Sequence, residues 1–210
     1  MAQAVEPAHA TGPENTTTGI NHRKLLMWVF LASDCLFFGA LIATYMVYRG
    51  QSLNGPYPLD IIDVPVTTIS TFVLLCSSFA MVQALAATNA NNQRGIKIWL
   101  LATVVMGCIF IGFQAYEFNT FKNEGLALGT NLFGASFFTL TGFHGAHVTL
   151  GVIWLFALFI LSFKGRIGPA TALDVELAGL YWHFVDIVWI IIFTLLYLIA
   201  GFDAGPPPAG

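Results

Sequence analysis

Charged side chains are scarce in this sequence. Aspartate, glutamate, lysine and arginine together make up 9% of the 210 residues, whereas hydrophobic residues make up 57%. A water-soluble domain carries roughly 25% charged and 45–50% apolar residues. The mean hydropathy is correspondingly high, at +0.75. Because so much apolar surface cannot be hidden in an aqueous core, the sequence excludes an ordinary soluble domain and predicts an integral membrane protein.

Cysteine and positive charge are also in short supply. The three cysteines, Cys35, Cys76 and Cys108, all fall inside apolar runs and form no CxxC pair. They are interpreted as small buried residues that say nothing about the redox compartment. The net charge of −3 gives no sign of nucleic-acid binding, so no nucleic-acid partner is expected.

Five apolar segments are long enough to cross a bilayer, since about 20 apolar helical residues span a hydrocarbon core of about 30 Å. The segments are 25–48, 64–88, 96–118, 131–162 and 176–200. They lack the alternation of barrel strands, so helices are predicted. The expected fold is all-α: a five-transmembrane-helix domain over 22–201, between a disordered N-terminal arm (1–21) and a Pro/Gly-rich tail (202–210).

Basic residues predict the orientation, because cytoplasmic loops carry an excess of lysine and arginine. One side of the predicted bundle carries Arg23, Lys24, Arg94, Lys97, Lys164 and Arg166. The other side carries only Arg49 and Lys122. We therefore expect the N-terminus in the cytoplasm and the C-terminus outside.

Several ionisable side chains lie inside the predicted spans, where a charge costs about 2.5–3.5 kcal/mol on insertion scales. Those expected at one depth, in the cytoplasmic half, are Asp34, His144, His147, His183 and Asp186. The two histidines of the fourth span are three residues apart, as are His183 and Asp186 in the fifth, so each pair shares a helix face. A structural network of hydrogen bonds between helices is predicted.

Other polar and aromatic residues have weaker signals. Glu117, in GFQAYEF (112–118), is predicted as an interfacial carboxylate; the alternative is that Gln114 or a basic group of another subunit draws it inward. An aromatic row on the fifth span is interpreted as packing. Its members are Tyr181, Trp182, Trp189 and Phe193.

Other functions remain open at this point. His147 and His183 could ligate a haem between two helices, and the three intramembrane histidines, His144 included, could serve a self-sufficient metal- or haem-binding membrane enzyme. A proton or ion channel built on Asp34 and Asp186 is a further alternative.

Two motifs add a family resemblance. GFHGAHVTLG (142–151), followed by YWHFVDIVWIIIF (181–193), resembles subunit III of the haem-copper oxidases. LASDCLFFGALIATY (31–45) and GFQAYEF are similar to the same family, and the likeness runs from residue 22 to residue 200.

The resemblance implies a non-catalytic subunit III of an aerobic respiratory terminal oxidase, such as cytochrome c oxidase. It would stabilise subunit I and support proton uptake during oxygen reduction. The implied partners are subunit I directly, subunit II, other oxidase subunits and membrane lipid, with respiratory supercomplex membership left open. The resemblance implies haem and copper in subunits I and II, none in this chain, and bound phospholipid. It also implies that the predicted polar network is structural, with no catalytic or metal-binding residue.

The number of predicted spans indicates the kind of organism from which the chain comes. Mitochondrial-type members have seven helices, whereas five-helix forms occur in bacterial oxidases, so the resemblance implies the bacterial cytoplasmic (inner) membrane. The electron donor stays open between cytochrome c and quinol, and subunit III of a nitric oxide reductase is a further alternative. Many members carry glutamate where this chain has Asp34, whose shorter side chain requires a closer partner or a bridging water.

Overall fold

The computed structural model describes residues 19–48, 64–123, 125, 129 and 132–198. Within these ranges the chain is helical, and five helices are long and apolar enough to cross a membrane. The elements are α1 (His22–Tyr48), α2 (Val64–Asn89), α3 (Gln93–Asn123), α4 (Leu132–Phe163), a 3₁₀ turn (Pro169–Thr171), α5 (Ala172–Phe193) and a π-helical turn (Thr194–Leu198). The predicted five-helix architecture is confirmed. Most of the predicted arm (1–21), the tail (202–210) and Arg49 lie outside the described residues.

Helix ends differ from the apolar runs that predicted them. The third helix begins at Gln93 rather than 96, because Asn92 Oδ1 accepts a hydrogen bond from the Gly95 backbone N–H at 3.1 Å and caps the first turn. Asn91 has a φ of 52°, a left-handed conformation that asparagine tolerates at a helix end. A tight turn therefore joins α2 to α3. The apolar run marks the membrane crossing, and the helix continues beyond it into polar residues.

The fifth helix lies at the centre of the bundle. Helix α5 contacts α1, α2 and α4, while α3 contacts α2 and α4. In the most apolar stretch of each helix, 56% of the residues are buried in α5 and only 17% in α1. Most of the α1 surface is thus left facing outward, while α5 carries the side chains that meet the other helices.

Trp182 shows how closely the helices approach. Its indole is fully buried, and its Nε1–H donates a hydrogen bond to Ser77 Oγ on α2 at 2.9 Å. A Cβ atom on Gly107 of α3 would lie 2.8 Å from the indole, and one on Gly151 of α4 would lie 2.9 Å from it. Those distances are shorter than van der Waals contact, so glycine at both positions makes room for the ring. One α5 side chain therefore packs against three neighbouring helices.

The cysteine prediction is wrong for two of the three residues. Cys35 on α1 and Cys108 on α3 are exposed on the outside of the bundle, and Cys76 is half-buried. A thiol is small and apolar enough to face hydrocarbon as readily as a protein core. Burial within a membrane protein therefore does not follow from an apolar sequence neighbourhood.

Candidate functional site

The aspartate of α1 and one histidine of α4 form the first polar pair. Asp34 Oδ2 lies 3.6 Å from His147 Nε2, and the two side chains are 13% and 17% exposed. This separation is beyond normal hydrogen-bond length and places the groups in electrostatic contact. The other ring nitrogen, Nδ1, lies 2.8 Å from the backbone carbonyl oxygen of Phe143.

The Phe143 contact assigns the ring hydrogens of His147. Since a carbonyl oxygen only accepts, Nδ1 carries a hydrogen and donates it. Nε2 is then the ring nitrogen that faces Asp34 Oδ2. The pair is a polar contact between α1 and α4.

A serine joins the histidine and aspartate of α5. Ser78 on α2 donates a hydrogen bond from its hydroxyl to Asp186 Oδ2, and its Oγ lies 2.9 Å from His183 Nδ1. A serine hydroxyl has a single hydrogen. When that hydrogen goes to Asp186, the serine oxygen accepts the hydrogen of His183 Nδ1. The α5 pair thus meets α2 through a serine that the sequence reasoning did not single out.

The fifth predicted member of the network, His144, stands apart from both pairs. Its ring is fully buried and stacks on Trp189, with 4.8 Å between centroids and 24° between planes. The ring of Phe110 lies nearly perpendicular to it, with 6.0 Å between the ring centroids. Neither ring nitrogen hydrogen-bonds to any residue within the described ranges. The structure therefore separates the predicted layer into an α1–α4 pair, an α2–α5 group and a histidine among aromatic rings.

Glu117 lies in a second buried polar group. Its side chain is 5% exposed and accepts a hydrogen bond from the Thr67 hydroxyl of α2. The hydroxyl of Tyr197, in the π-helical turn, also hydrogen-bonds with Glu117. Gln114 has a different partner, because its Nε2–H donates to the Thr141 carbonyl oxygen at 2.8 Å. The carboxylate points into the bundle and connects α3 with α2 and the end of α5.

The aromatic row of α5 is directed into the bundle. Trp189 Nε1–H donates to Thr71 Oγ1 of α2 at 2.9 Å, and the Tyr181 hydroxyl donates to the backbone carbonyl oxygen of His147 at 3.0 Å. Buried indole and phenol groups need such partners. The row therefore has a packing role, and its polar atoms tie α5 to α2 and α4.

The histidines point toward different helices. His147 faces Asp34 on α1, whereas His183 faces Ser78 on α2. No cluster of three or more histidine, cysteine, aspartate or glutamate side chains suited to a metal ion occurs in 19–48, 64–123 or 132–198. What the described side chains form is a set of hydrogen-bonded and electrostatic links between helices.

Comparisons with known proteins agree on one family. The sequence profile described as cytochrome c oxidase subunit III matches residues 8–201. The chain is 37% identical, over 95% of its length and 98% of the relative, to cytochrome c oxidase subunit 3 of Alkalihalophilus pseudofirmus.

Two further relatives carry the names of both oxidase types. Quinol oxidase subunit 3 of Bacillus subtilis is 37% identical, over 82% of this chain and 84% of its own. Cytochrome c oxidase subunit 3 of Bacillus sp. PS3 is 35% identical, over 89% and 91%. The chain therefore belongs to the cytochrome c oxidase subunit III family.

Proposed function

We propose that this chain is the non-catalytic subunit III of an aerobic respiratory haem-copper oxidase, where it stabilises subunit I and supports proton uptake during oxygen reduction. The observation that carries the proposal is that the half-buried Asp34 and the buried Asp186 contact imidazole or hydroxyl groups of neighbouring helices. Asp34 meets His147, and Asp186 meets His183 through Ser78. Groups engaged with each other brace a helical bundle inside hydrocarbon, where unpaired polar groups are costly.

The proposed division of labour places all electron transfer in the partner subunits. In the complex, haem and copper belong to subunits I and II, and this chain contributes protein surface and a polar interior. The contact between Asp34 and His147 supports a role beside a proton-uptake route, because carboxylate and imidazole groups inside a membrane often belong to proton pathways. Neither residue is a catalytic residue in this proposal.

The proposed orientation has the N-terminus in the cytoplasm, in the cytoplasmic membrane of a bacterium. Two ion pairs at one end of the bundle support it: Arg23 Nη2 with Asp174 Oδ1, and Lys24 Nζ with Glu176 Oε1, each at 2.5 Å. They bring the start of α1 beside the start of α5. Gln93 Nε2–H donates to the Ile167 carbonyl oxygen at 2.9 Å and joins the α2–α3 turn to the same end. The basic residues thus gather where the positive-inside rule expects the cytoplasm.

Bound phospholipid is part of the proposal. A groove at this end is lined by Lys24, Leu25, Trp28 and Glu176. Leu25 and Trp28 give this groove an apolar wall that suits an acyl chain, and Lys24 and Glu176 are paired with each other beside it.

Deletion of this subunit tests the function. An oxidase purified without the chain is expected to turn over at first, and then to lose activity during turnover or to pump fewer protons per electron. Oxygen consumption and proton release would be followed together in vesicles. Undiminished pumping and lifetime without the chain would contradict the supportive role.

A second candidate, subunit III of a quinol oxidase, is favoured by a specific observation. A quinol oxidase subunit 3 and a cytochrome c oxidase subunit 3 are equally similar to this chain, at 37% identity each. The electron donor is selected by other subunits of the complex, so the purified oxidase should be assayed with reduced cytochrome c and with a quinol.

An optical spectrum of the isolated chain tests the alternative of a self-sufficient haem enzyme, for which a Soret band would be required.

A further inference from the structure

Two polar side chains, His183 and Ser78, lie on the outside of the bundle within the membrane-spanning parts of α5 and α2. His183 is about 16 Å along the axis from Ala172, the first residue of α5, and Ser78 is about 16 Å from Asn89, the last residue of α2. Both helix ends lie on the side where the basic residues gather. The ion pairs at the start of α5 mark the membrane surface. Both side chains are therefore expected inside the hydrocarbon core, in the half nearer to that surface. His183 and Ser78 are nevertheless only half-buried.

One nitrogen of His183 faces away from the bundle. Nδ1 is taken up by Ser78 at 2.9 Å. Nε2 makes no hydrogen bond with the part of the chain that the structure describes, and unlike the nitrogens of His144 it is not enclosed by the bundle. Lipid tails can neither donate to nor accept from an imidazole nitrogen, and leaving it unpaired there is costly.

Exposed apolar side chains lie one helical turn from Ser78 and from His183. On α2, Leu75 and Val82 lie one helical turn before and after Ser78 and are 41% and 51% exposed. On α5, Ile187 lies one turn after His183 and is 57% exposed. We call these five residues the α2–α5 seam. An apolar surface with a single polar atom at its centre is what a neighbouring helix with one polar side chain would match.

We propose that the α2–α5 seam docks a transmembrane helix of another oxidase subunit, which carries a hydroxyl, amide or carboxyl side chain at the depth of His183 Nε2. This rests on the proposed function, and it names the face through which the chain joins its complex. The depth excludes a lipid headgroup and bulk water as the group that meets Nε2, because both stay near the membrane surface.

The first test is photo-crosslinking in the intact oxidase. A benzoylphenylalanine at position 187 is compared with one at position 153 on α4, since Ile187 and Ile153 are 57% and 59% exposed. The proposal expects the probe at position 187 to crosslink to another oxidase subunit. Adducts only with lipid, or with a second copy of this chain, would overturn it.

The second test separates the two nitrogens of His183. His183→Asn keeps a donor near the position of Nδ1, so that the Ser78 and Asp186 contacts are retained, and it removes Nε2. Loss of one interhelical hydrogen bond corresponds to about threefold weaker association. The measurement is the fraction of this chain that co-purifies with the other subunits as detergent is increased. Unchanged retention would overturn the hydrogen bond to a partner.

A matched pair of bulky substitutions tests whether the apolar residues of the α2–α5 seam contact a partner. Ile187→Trp should lower retention of the chain in the complex several-fold, while Ile153→Trp should change it less. Equal effects of the two substitutions, or none, would overturn docking at the seam. The proposed function fails separately, if the unmodified chain co-purifies with no oxidase subunit at all.

Discussion

Asp34 on α1 and His147 on α4 face each other with 3.6 Å between Oδ2 and Nε2. The imidazole cannot turn freely, because its Nδ1 is bound to the Phe143 carbonyl oxygen at 2.8 Å. The acid must therefore reach the histidine, and an aspartate stops short of hydrogen-bond distance. The contact also joins the least buried helix of the bundle to its neighbour, so its strength bears directly on how α1 is held.

Substitutions of Asp34 test how its side-chain length affects the stability of the complex. Asp34→Ala should lower the stability of the complex by about 1–3 kcal/mol, because it leaves Nε2 of the half-buried His147 without a polar partner. Asp34→Glu extends the side chain by one methylene and should keep the stability or raise it. Thermal unfolding of the detergent-solubilised complex provides the measurement. Equal stability of the alanine variant and the parent would show that the pair does not hold α1.

Ser78 is expected to matter more than other serines of the membrane domain. Ser78→Ala removes the hydroxyl that joins His183 to Asp186, and should destabilise the complex by about 1–3 kcal/mol for each buried group left unpaired. Ser33→Ala is the matched control, because Ser33 is exposed and hydrogen-bonds only the Phe30 carbonyl of its own helix. Chemical or thermal denaturation of both variants measures the difference in stability. A control as unstable as Ser78→Ala would refute the joining role.

The hydrogen bonds of Glu117 predict that removing the hydroxyl of Tyr197 lowers stability more than removing that of Tyr116. Tyr197→Phe deletes a buried hydroxyl that bonds to Glu117, and should cost about 1–3 kcal/mol of stability because the carboxylate loses a donor. Tyr116→Phe removes the same atom from a side chain that is 64% exposed, so its effect should stay within about 0.5 kcal/mol. The two unfolding temperatures are compared directly. If they coincide, the Tyr197 hydroxyl does not stabilise the carboxylate.

Two glycines of α3 should respond differently to a methyl group. A Cβ on Gly107 would lie 2.7 Å from Val152 and 2.8 Å from Trp182, whereas one on Gly112 would meet nothing within 4 Å. Gly107→Ala is therefore expected to destabilise the bundle by about 1–3 kcal/mol through overpacking. Gly112→Ala should be neutral or slightly stabilising, because alanine is the better helix former. A tolerated Gly107→Ala would mean that α3 can move away from α5.

Sequence reasoning anticipated the helices and several members of the polar groups, and it missed their partners. Asp34 and His147 were predicted in one network and do lie together. Ser78 was overlooked, although two adjacent serines in the middle of an apolar span were a visible signal. His144 lies three residues before His147 on α4. This offset rotates its side chain around the helix enough that it faces Trp189 rather than Asp34.

The position of Glu117 shows a second limit. A carboxylate at the end of an apolar run has the same sequence signature whether it reaches the membrane surface or turns inward. Thr67 and Tyr197 lie far from it in sequence, at positions that only the packing of α2 and α5 brings near. No spacing rule within one helix connects them.

By itself, the sequence determined that the protein lies in a lipid bilayer, how many times it crosses, and to which family it belongs. Hydropathy, span length and the order of motifs can all be read along a single chain. The tertiary structure alone decided which polar groups meet. The reason is that hydrocarbon surrounds this bundle: the faces turned toward lipid are as apolar as those turned inward, so the sequence carries little record of how each helix is rotated. Close contacts such as that of Trp182 with Gly107 and Gly151 set those rotations, and with them which groups each intramembrane acid and imidazole faces.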